Sequence, residues 1–134
     1  MPRIQRQLEK IFRAQSIELA YLFGSSAQQA DTSRSDRDIA VLLPARLSKE
    51  ERFERRLGLI GELARVFKRD VDVVVLNDLS SLFFKYVILK EGVLLHQKSE
   101  AVRLDFETRT LGLYFDFQPF LTFYSQQYVK RGIQ

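Results

Sequence analysis

Short apolar runs alternate with amphipathic stretches along this chain, and the pattern predicts strands that alternate with helices. Three runs have the length of buried strands and are bounded by polar or small residues: 18–23, 39–43 and 71–76. A shorter run at 93–96 predicts a fourth strand. This alternation indicates an α/β fold, in which a small mixed sheet packs against helices.

Two amphipathic helices are predicted around the first strands. Over residues 3–14 the apolar positions fall on one face, namely Ile4, Leu8, Ile11 and Phe12. Ser48 is followed three residues later by Glu51, which forms a capping box and marks the start of a second helix. The apolar residues expected to face the sheet from this helix are Leu57, Ile60, Leu63, Ala64 and Phe67.

A third helix precedes the last strand, and we expect Asn77 or Ser80 to cap its start. Gly92 is expected to end it, because glycine is favoured just past the end of a helix. A chain of 134 residues is expected to form one compact core. We therefore predict a single domain over residues 1–134, with an α/β core at 1–98 and a helical extension at 99–134.

The helical extension runs from Ser99 to about Lys130 and is apolar on two sides. One stripe contains Leu104, Leu111, Tyr114, Leu121, Tyr124 and Tyr128, while Phe106, Leu113, Phe117, Phe120 and Phe123 lie largely outside it. Pro119 is expected to kink or break the helix, because proline removes a backbone donor and clashes one turn back. Either the kink folds both sides onto one core, or the second side binds a partner.

Composition narrows the classes of function. The chain has no cysteine, which excludes disulfides and thiolate chemistry, and its one histidine, His96, cannot build a zinc site alone and is expected at the surface. The net charge of +4 is mild, and a basic stripe on the first helix (Arg3, Arg6, Lys10 and Arg13) is interpreted as a solvated face, so a nucleic-acid partner is not required. The charged N-terminus does not resemble a signal peptide, and no apolar run reaches the ~20 residues that cross a bilayer. We expect a soluble, cytoplasmic protein without membrane contact.

Candidate chemistry is concentrated between residues 21 and 43. Gly24 follows the first strand and can adopt backbone angles closed to other residues, which lets a ligand approach the main chain. If residues 25–29 begin a helical turn, their free N–H groups favour phosphate, and the Ser25 hydroxyl can add a bond. Gly-Ser alone is more typical of a strand-to-helix turn with a serine cap.

Two carboxylates at the start of the second strand make a ligand site the better interpretation. Asp36 and Asp38 lie two residues apart, so in a strand they share a face and repel each other unless a cation lies between them. Mg²⁺ is usually held by one or two carboxylates together with substrate phosphates. Asp72 can complete a three-carboxylate cluster if its strand is a neighbour, whereas Asp70 is interpreted as a charge at the end of a loop.

These motifs resemble the minimal nucleotidyltransferases of the DNA polymerase β superfamily. The resemblance is carried by residues 24–27 (Gly-Ser-Ser-Ala), 35–39 (Ser-Asp-Arg-Asp-Ile) and 71–74 (Val-Asp-Val-Val). The family pattern is Gly-Ser-x-Ala-Arg-Gly, Ser-Asp-x-Asp and a later aspartate on a strand. Residues 79–124 look more loosely like the MNT subgroup, which acts as the antitoxin of HEPN toxins in HEPN–MNT toxin–antitoxin systems.

The resemblance implies a polymerase β-like nucleotidyltransferase fold. It also implies that the protein uses ATP as a substrate and binds two Mg²⁺ ions. It implies transfer of AMP to a tyrosine of a cognate HEPN toxin ribonuclease, with Asp72 as the candidate general base. A homo- or hetero-oligomer would form through the C-terminal helix. The expected metal-binding and catalytic residues are Asp36, Asp38 and Asp72, and the expected nucleotide-binding residues are Gly24, Ser25 and Ser26.

One departure from the family pattern keeps alternatives open. Gln28 and Gln29 replace the usual Arg-Gly, which removes a phosphate partner and tightens the space for a triphosphate. A non-catalytic antitoxin would neutralise its HEPN partner by binding alone. Because the carboxylate motif does not identify the acceptor, a nucleotidyltransferase for a small molecule or an RNA end is the other alternative.

Overall fold

The computed structural model describes residues 3–24 and 37–130, with side chains described as far as Pro119. The described elements are α1 (Arg3–Ala14), β1 (Leu19–Phe23), β2 (Arg37–Leu42), α2 (Lys49–Phe67), β3 (Val71–Val75), a 3₁₀ turn (Leu76–Asp78), α3 (Leu82–Glu91), β4 (Val93–Gln97) and α4 (Glu100–Lys130). The predicted α/β class and the order of its elements are confirmed. Within the described ranges no helix is both long and apolar enough to span a bilayer.

The four strands form one mixed sheet in the order β3-β2-β1-β4. β1 is antiparallel to both β2 and β4, whereas β2 and β3 are parallel and α2 connects them. The end of β1 and the starts of β2, β3 and β4 therefore lie together along one side of the sheet, where the strands begin or end, and not along an outer strand. We call this the carboxylate edge and define it by Gly24, Asp38 and Asp72.

Each face of the sheet is covered by a pair of helices. Under α1 and α2 the largest fully buried side chains are Phe12, Ile17, Ile39, Val41, Leu43, Leu59, Leu63 and Val73. Under α3 and α4 the buried cluster is Leu19, Tyr21, Ala40, Leu76 and Ile88. Alternate side chains along β1 and β2 thus enter two separate cores, which fixes these central strands from both sides.

The predicted sheet-facing sides of the first two helices are correct only in part. Leu59 and Leu63 are fully buried, whereas Leu57 is half exposed. Leu57 precedes Leu59 by two residues, which places it on roughly the opposite side of α2. Ile4, in the first turn of α1, is also exposed. The capping box is confirmed, since the Glu51 N–H donates to Ser48 Oγ and the Ser48 N–H donates to Glu51.

The start of α3 corrects the predicted cap. Ser81 is the N-cap, and its hydroxyl accepts from the Phe84 N–H at 3.1 Å. Asn77 has another role, because its side-chain amide bonds both the N–H and the carbonyl of Leu43 at 2.9 Å. Gly92 ends α3 as predicted, with an ordinary negative φ of −75°.

α4 runs as one helix from Glu100 to Lys130, so Pro119 does not end it. Its rotation differs from the predicted stripe, because Phe106 packs on the core while Leu104 is exposed. A hydrogen bond from the Tyr21 hydroxyl to Glu107 at 2.6 Å fixes this rotation. Burial, and then this bond, raises the pKa of Tyr21 far above its usual range, so the hydroxyl stays a donor. The stripe residues from position 120 onward lie beyond the described side chains.

His96 is buried, which corrects the predicted surface position. Its Nδ1 lies 3.0 Å from a Glu9 carboxylate oxygen, and its Nε2 lies 3.0 Å from the Ile17 carbonyl oxygen. The ring also stacks on Phe12, with centroids 5.5 Å apart. α1 packs over β4 and supplies two of these contacts, which is why a residue near the end of a strand is enclosed.

Candidate active site

Asp38 and Asp72 lie side by side on the sheet. They are register partners in the parallel pair of β2 and β3. Neighbouring strands are about 4.8 Å apart, and directly paired residues project their side chains to the same face. The structure therefore brings together two of the three predicted carboxylates.

Gly24 lies against one of these carboxylates. Its φ is +79°, a backbone conformation that favours glycine. A Cβ atom at this position would lie only 2.7 Å from Oδ2 of Asp38. The main chain at Gly24 thus lies directly next to the Asp38 carboxylate, and a side chain at residue 24 would push the two apart.

One half of this sheet face is open and the other half is covered. The Asp72 side chain is 57% exposed, and Val74, two residues along β3, is only partly buried. Over β1, by contrast, Tyr21 is buried beneath α3 and α4. A ligand can therefore reach the paired carboxylates from the open half, with the helices forming a wall beside it.

The remaining predicted site residues, Ser25, Ser26 and Asp36, lie outside the described residues, as do Gln28 and Gln29. Their predicted roles stay predictions. Within 3–24 and 37–130, no group of three or more acidic, histidine or cysteine side chains could hold a metal, and the predicted group of three includes Asp36. The two carboxylates that are described nevertheless fit a hard divalent cation, because both are oxygen donors on one open face.

Sequence reasoning missed Arg56, which contacts one of the paired carboxylates. Its Nε donates to the Val73 carbonyl at 2.6 Å, and its Nη2 donates to Oδ1 of Asp72 at 3.3 Å. No local pattern could have found these contacts, since Arg56 lies on α2 and crosses the edge strand to reach Asp72. Asp70, interpreted as a loop-end charge, is exposed just before β3.

A cavity of about 550 Å³ lies at the opposite edge of the sheet and is a different feature. It is lined by residues of α1, the residues between α1 and β1, the residues after β2 and the end of β4, including Glu9, Arg13, His96 and Lys98. None of the predicted site residues lines it. The candidate active site is therefore the carboxylate edge.

Comparisons with solved structures return toxin–antitoxin complexes. A chain from a toxin–antitoxin crystal structure with AMP-PNP is 26% identical, has a TM-score of 0.70, and matches 97% of this chain and 98% of its own. A chain from the MntA-HepT toxin–antitoxin crystal structure is 25% identical, with a TM-score of 0.66 and coverage of 98% and 97%. The complex of the tri-AMPylated Shewanella oneidensis HEPN toxin with its MNT antitoxin contains a chain that shares the fold at 24% identity, with a TM-score of 0.56 and coverage of 89% and 93%. No curated protein sequence matches the chain.

A family model described as polymerase beta, nucleotidyltransferase, matches residues 6–101. This range contains the whole sheet and every predicted site residue. Gly24, Asp38 and Asp72, which belong to the motifs that resemble nucleotidyltransferases, all lie within the matched range. The chain belongs to the polymerase β nucleotidyltransferase family.

Proposed function

We propose that this chain is an antitoxin adenylyltransferase that transfers AMP from ATP to a tyrosine of a cognate HEPN toxin ribonuclease. The observation that carries the proposal is the in-register pair of Asp38 and Asp72 on the open half of the sheet, beside Gly24. Nucleotidyl transfer needs oxygen ligands for metal next to a place where phosphate meets the backbone. The 26% identity to a chain of a toxin–antitoxin structure with AMP-PNP supports ATP and a toxin as the two substrates.

In this proposal the outer phosphates of ATP bind at Gly24, Ser25 and Ser26. The positive φ of Gly24 and its lack of a Cβ leave the main chain open to an anion at this point. Because the Asp38 carboxylate lies against the same glycine, the phosphates and the metal ligands are neighbours.

Asp36, Asp38 and Asp72 are the proposed ligands of two Mg²⁺ ions. When bound, magnesium neutralises charge at the α-phosphate and lowers the pKa of the acceptor hydroxyl. The chain contributes a rigid support for the ligands, since Ile39 and Ala40, which follow Asp38, are fully buried in the two opposite cores. Asp38 is therefore held in place before any ligand arrives.

Asp72 is the proposed general base. It lies on β3, an edge strand, and its exposed carboxylate faces the side from which an acceptor can approach. The tyrosine oxygen forms the new bond to the α-phosphorus, the bond from that phosphorus to the diphosphate leaving group breaks, and the tyrosine proton passes to Asp72. The product is a tyrosine that carries AMP, a bulky anion that would repel RNA from the toxin.

The exposed aromatic residues of α3 and α4 are the proposed docking surface for the toxin. Phe83, Phe115 and Phe117 are each more than half exposed, which is costly for aromatic side chains in water. The surface extends to the active site, because Phe84 packs edge-on against Phe23 at 5.7 Å and Phe23 is the register partner of Asp38. A toxin bound to these aromatic residues would present its acceptor close to the carboxylate edge.

A labelling experiment tests the proposal. The full-length protein is incubated with Mg²⁺, ATP labelled at the α-phosphate, and a candidate HEPN protein, chosen from the neighbouring open reading frames by an Arg-x4-6-His motif. We expect label on a tyrosine of the HEPN protein. Asp72→Asn is expected to lower the labelling rate by about 100-fold or more.

Asp70→Asn provides the matched control, because Asp70 is an exposed aspartate two residues earlier on the same segment. It should label the toxin at the wild-type rate. An Asp70→Asn variant as defective as Asp72→Asn would contradict the assigned site. Label that appears on RNA or on a small molecule, and not on the HEPN protein, would overturn the proposed acceptor.

Neutralisation by binding alone is the second candidate function, and the exposed aromatic residues of α3 and α4 favour it. In that case a variant with both Asp38→Asn and Asp72→Asn would still form a stable complex with the toxin and inhibit its ribonuclease activity. Inhibition that requires ATP and intact carboxylates would instead support the adenylyltransferase.

A further inference from the structure

The side chain of Arg56 reaches around the outer strand β3, from one face of the sheet to the other. α2 packs on the face opposite to the paired carboxylates and is fixed there by the fully buried Leu59 and Leu63. From this side the Arg56 guanidinium reaches past β3, where it bonds the Val73 carbonyl at 2.6 Å and Oδ1 of Asp72 at 3.3 Å. One side chain thus contacts both the backbone of the edge strand and a proposed metal ligand.

The two bonds of this guanidinium differ in length. The bond to the Val73 carbonyl is the shorter one and satisfies an acceptor on a strand that has no neighbour on that side. It holds the guanidinium in place whatever the position of Asp72. The Asp72 side chain is largely exposed, and the only side-chain partner that the described part of the chain gives it is Arg56.

We infer that Arg56 is a positioning residue for nucleotidyl transfer. It holds Oδ1 of Asp72 and leaves Oδ2 available on the face shared with Asp38. The inference rests on the proposed function in one respect, the assignment of Asp72 to the acceptor side of the reaction.

Arg52, one turn earlier on α2, offers a matched control. Its guanidinium also crosses to the β3 region, where it forms a two-pronged ion pair with Asp78 and donates to the Leu47 carbonyl. Asp78 follows the far end of β3, at the opposite edge of the sheet from Asp72. Arg52→Gln therefore removes an arginine that, like Arg56, bonds a carboxylate and a main-chain carbonyl, but at a distance from the carboxylate edge.

The experiment measures Mn²⁺ binding in the presence of α,β-methylene-ATP, together with the kinetics of toxin labelling, for full-length variants. We expect Arg56→Gln to lower kcat and weaken Mn²⁺ binding by about 10- to 100-fold, the usual cost of losing a partner of a metal ligand. The KM for ATP should change less than about twofold, because the proposed phosphate-binding residues, Gly24, Ser25 and Ser26, are left unaltered. Arg56→Lys should recover part of both losses, since an ammonium can donate to Asp72 but lacks the planar guanidinium that bonds Val73 and Asp72 together. Arg52→Gln should match the wild type in both measurements.

A double variant tests whether Arg56 acts through Asp72. If it does, Arg56→Gln has no further effect on Mn²⁺ binding in an Asp72→Asn background. Wild-type Mn²⁺ affinity in Arg56→Gln, an equal loss in Arg52→Gln, or a further loss in the Asp72→Asn background would each overturn the inference. A wild-type protein that does not label the toxin rejects the proposed function, while the Mn²⁺ comparison still decides the role of Arg56.

Discussion

The two edges of the sheet carry similar polar side chains but use them in opposite ways. At the edge opposite to the carboxylate edge, which we call the closed edge and define by Glu9, Asn77 and His96, polar side chains bond the chain itself. Asn77 bonds both polar groups of the Leu43 backbone, and His96 contacts Glu9 and a main-chain carbonyl. At the carboxylate edge, Asp72 is largely exposed and lies beside Asp38, a second carboxylate.

This difference separates stability from chemistry. Polar groups that are satisfied within the chain, as the buried His96 ring is, stabilise the fold, and leaving a buried one unpaired is costly. Two carboxylates that lie side by side repel each other, so their pairing contributes little to the fold, but together they can bind a cation. Substitutions at the carboxylate edge should therefore alter activity far more than stability, and those at the closed edge should do the reverse.

The largest expected effect is the loss of activity in Asp38→Asn. An amide removes a charged ligand while keeping the shape, so toxin labelling should fall by roughly 1000-fold. The free energy of unfolding should stay within about 1 kcal/mol of the wild type, because asparagine keeps the shape and the hydrogen-bonding capacity of the side chain. Labelling with ³²P and urea denaturation measure the two quantities. A variant that unfolds readily, or that retains activity, would break the contrast between the edges.

Gly24→Ala should come next, because it affects both activity and stability. The alanine Cβ would lie 2.7 Å from Oδ2 of Asp38, so the carboxylate must move, and the positive φ costs about 1–2 kcal/mol. We expect labelling to fall by about 10- to 100-fold. Gly61→Ala is the control, since open space surrounds Gly61 in α2 and alanine there should stabilise the helix slightly. Equal activity in the two variants would show that the contact between Gly24 and Asp38 has no role.

The carboxylate edge could be predicted from the sequence because its signals are local. Gly24 follows an apolar strand, and Asp38 and Asp72 each lie at or near the start of one. What the sequence left open was whether the strands of Asp38 and Asp72 are neighbours, which depends on the parallel pairing across α2.

The closed edge was missed for the opposite reason. The contacts of His96 with Glu9 and Ile17 join residues that are 87 and 79 positions apart, and no local sequence pattern predicts such contacts. Arg56 is a similar case, since its contact with Asp72 depends on α2 lying along the edge strand. Hydrophobic spacing gave the helices but not their rotation, as the exposed Leu57 shows.

His96→Ala tests the closed edge directly. The substitution removes a buried ring that stacks on Phe12 and leaves the Ile17 carbonyl without its partner. We expect a loss of about 2–4 kcal/mol in the free energy of unfolding, measured in urea, while toxin labelling per folded molecule stays at the wild-type rate. A stable variant with impaired labelling would mean that the two edges are coupled.

The smallest effect should be the acid response of Glu9. Burial alone would raise the pKa of this carboxyl, but the hydrogen bonds with His96 and Arg13 outweigh it, and the pKa falls below the ordinary 4.5. A group whose pKa is lowered by folding stabilises the fold fully above its unfolded pKa and loses that contribution as the pH falls through its folded pKa. The stability difference between the wild type and Glu9→Gln should thus be fully present at about pH 5 and shrink as the pH falls below 4.5. In a His96→Ala background most of this pH dependence should vanish, because the main partner is gone. Urea denaturation between about pH 5 and about pH 3 measures both, and a difference that grows over this range would contradict the hydrogen-bonded Glu9 carboxylate as a source of stability at the closed edge.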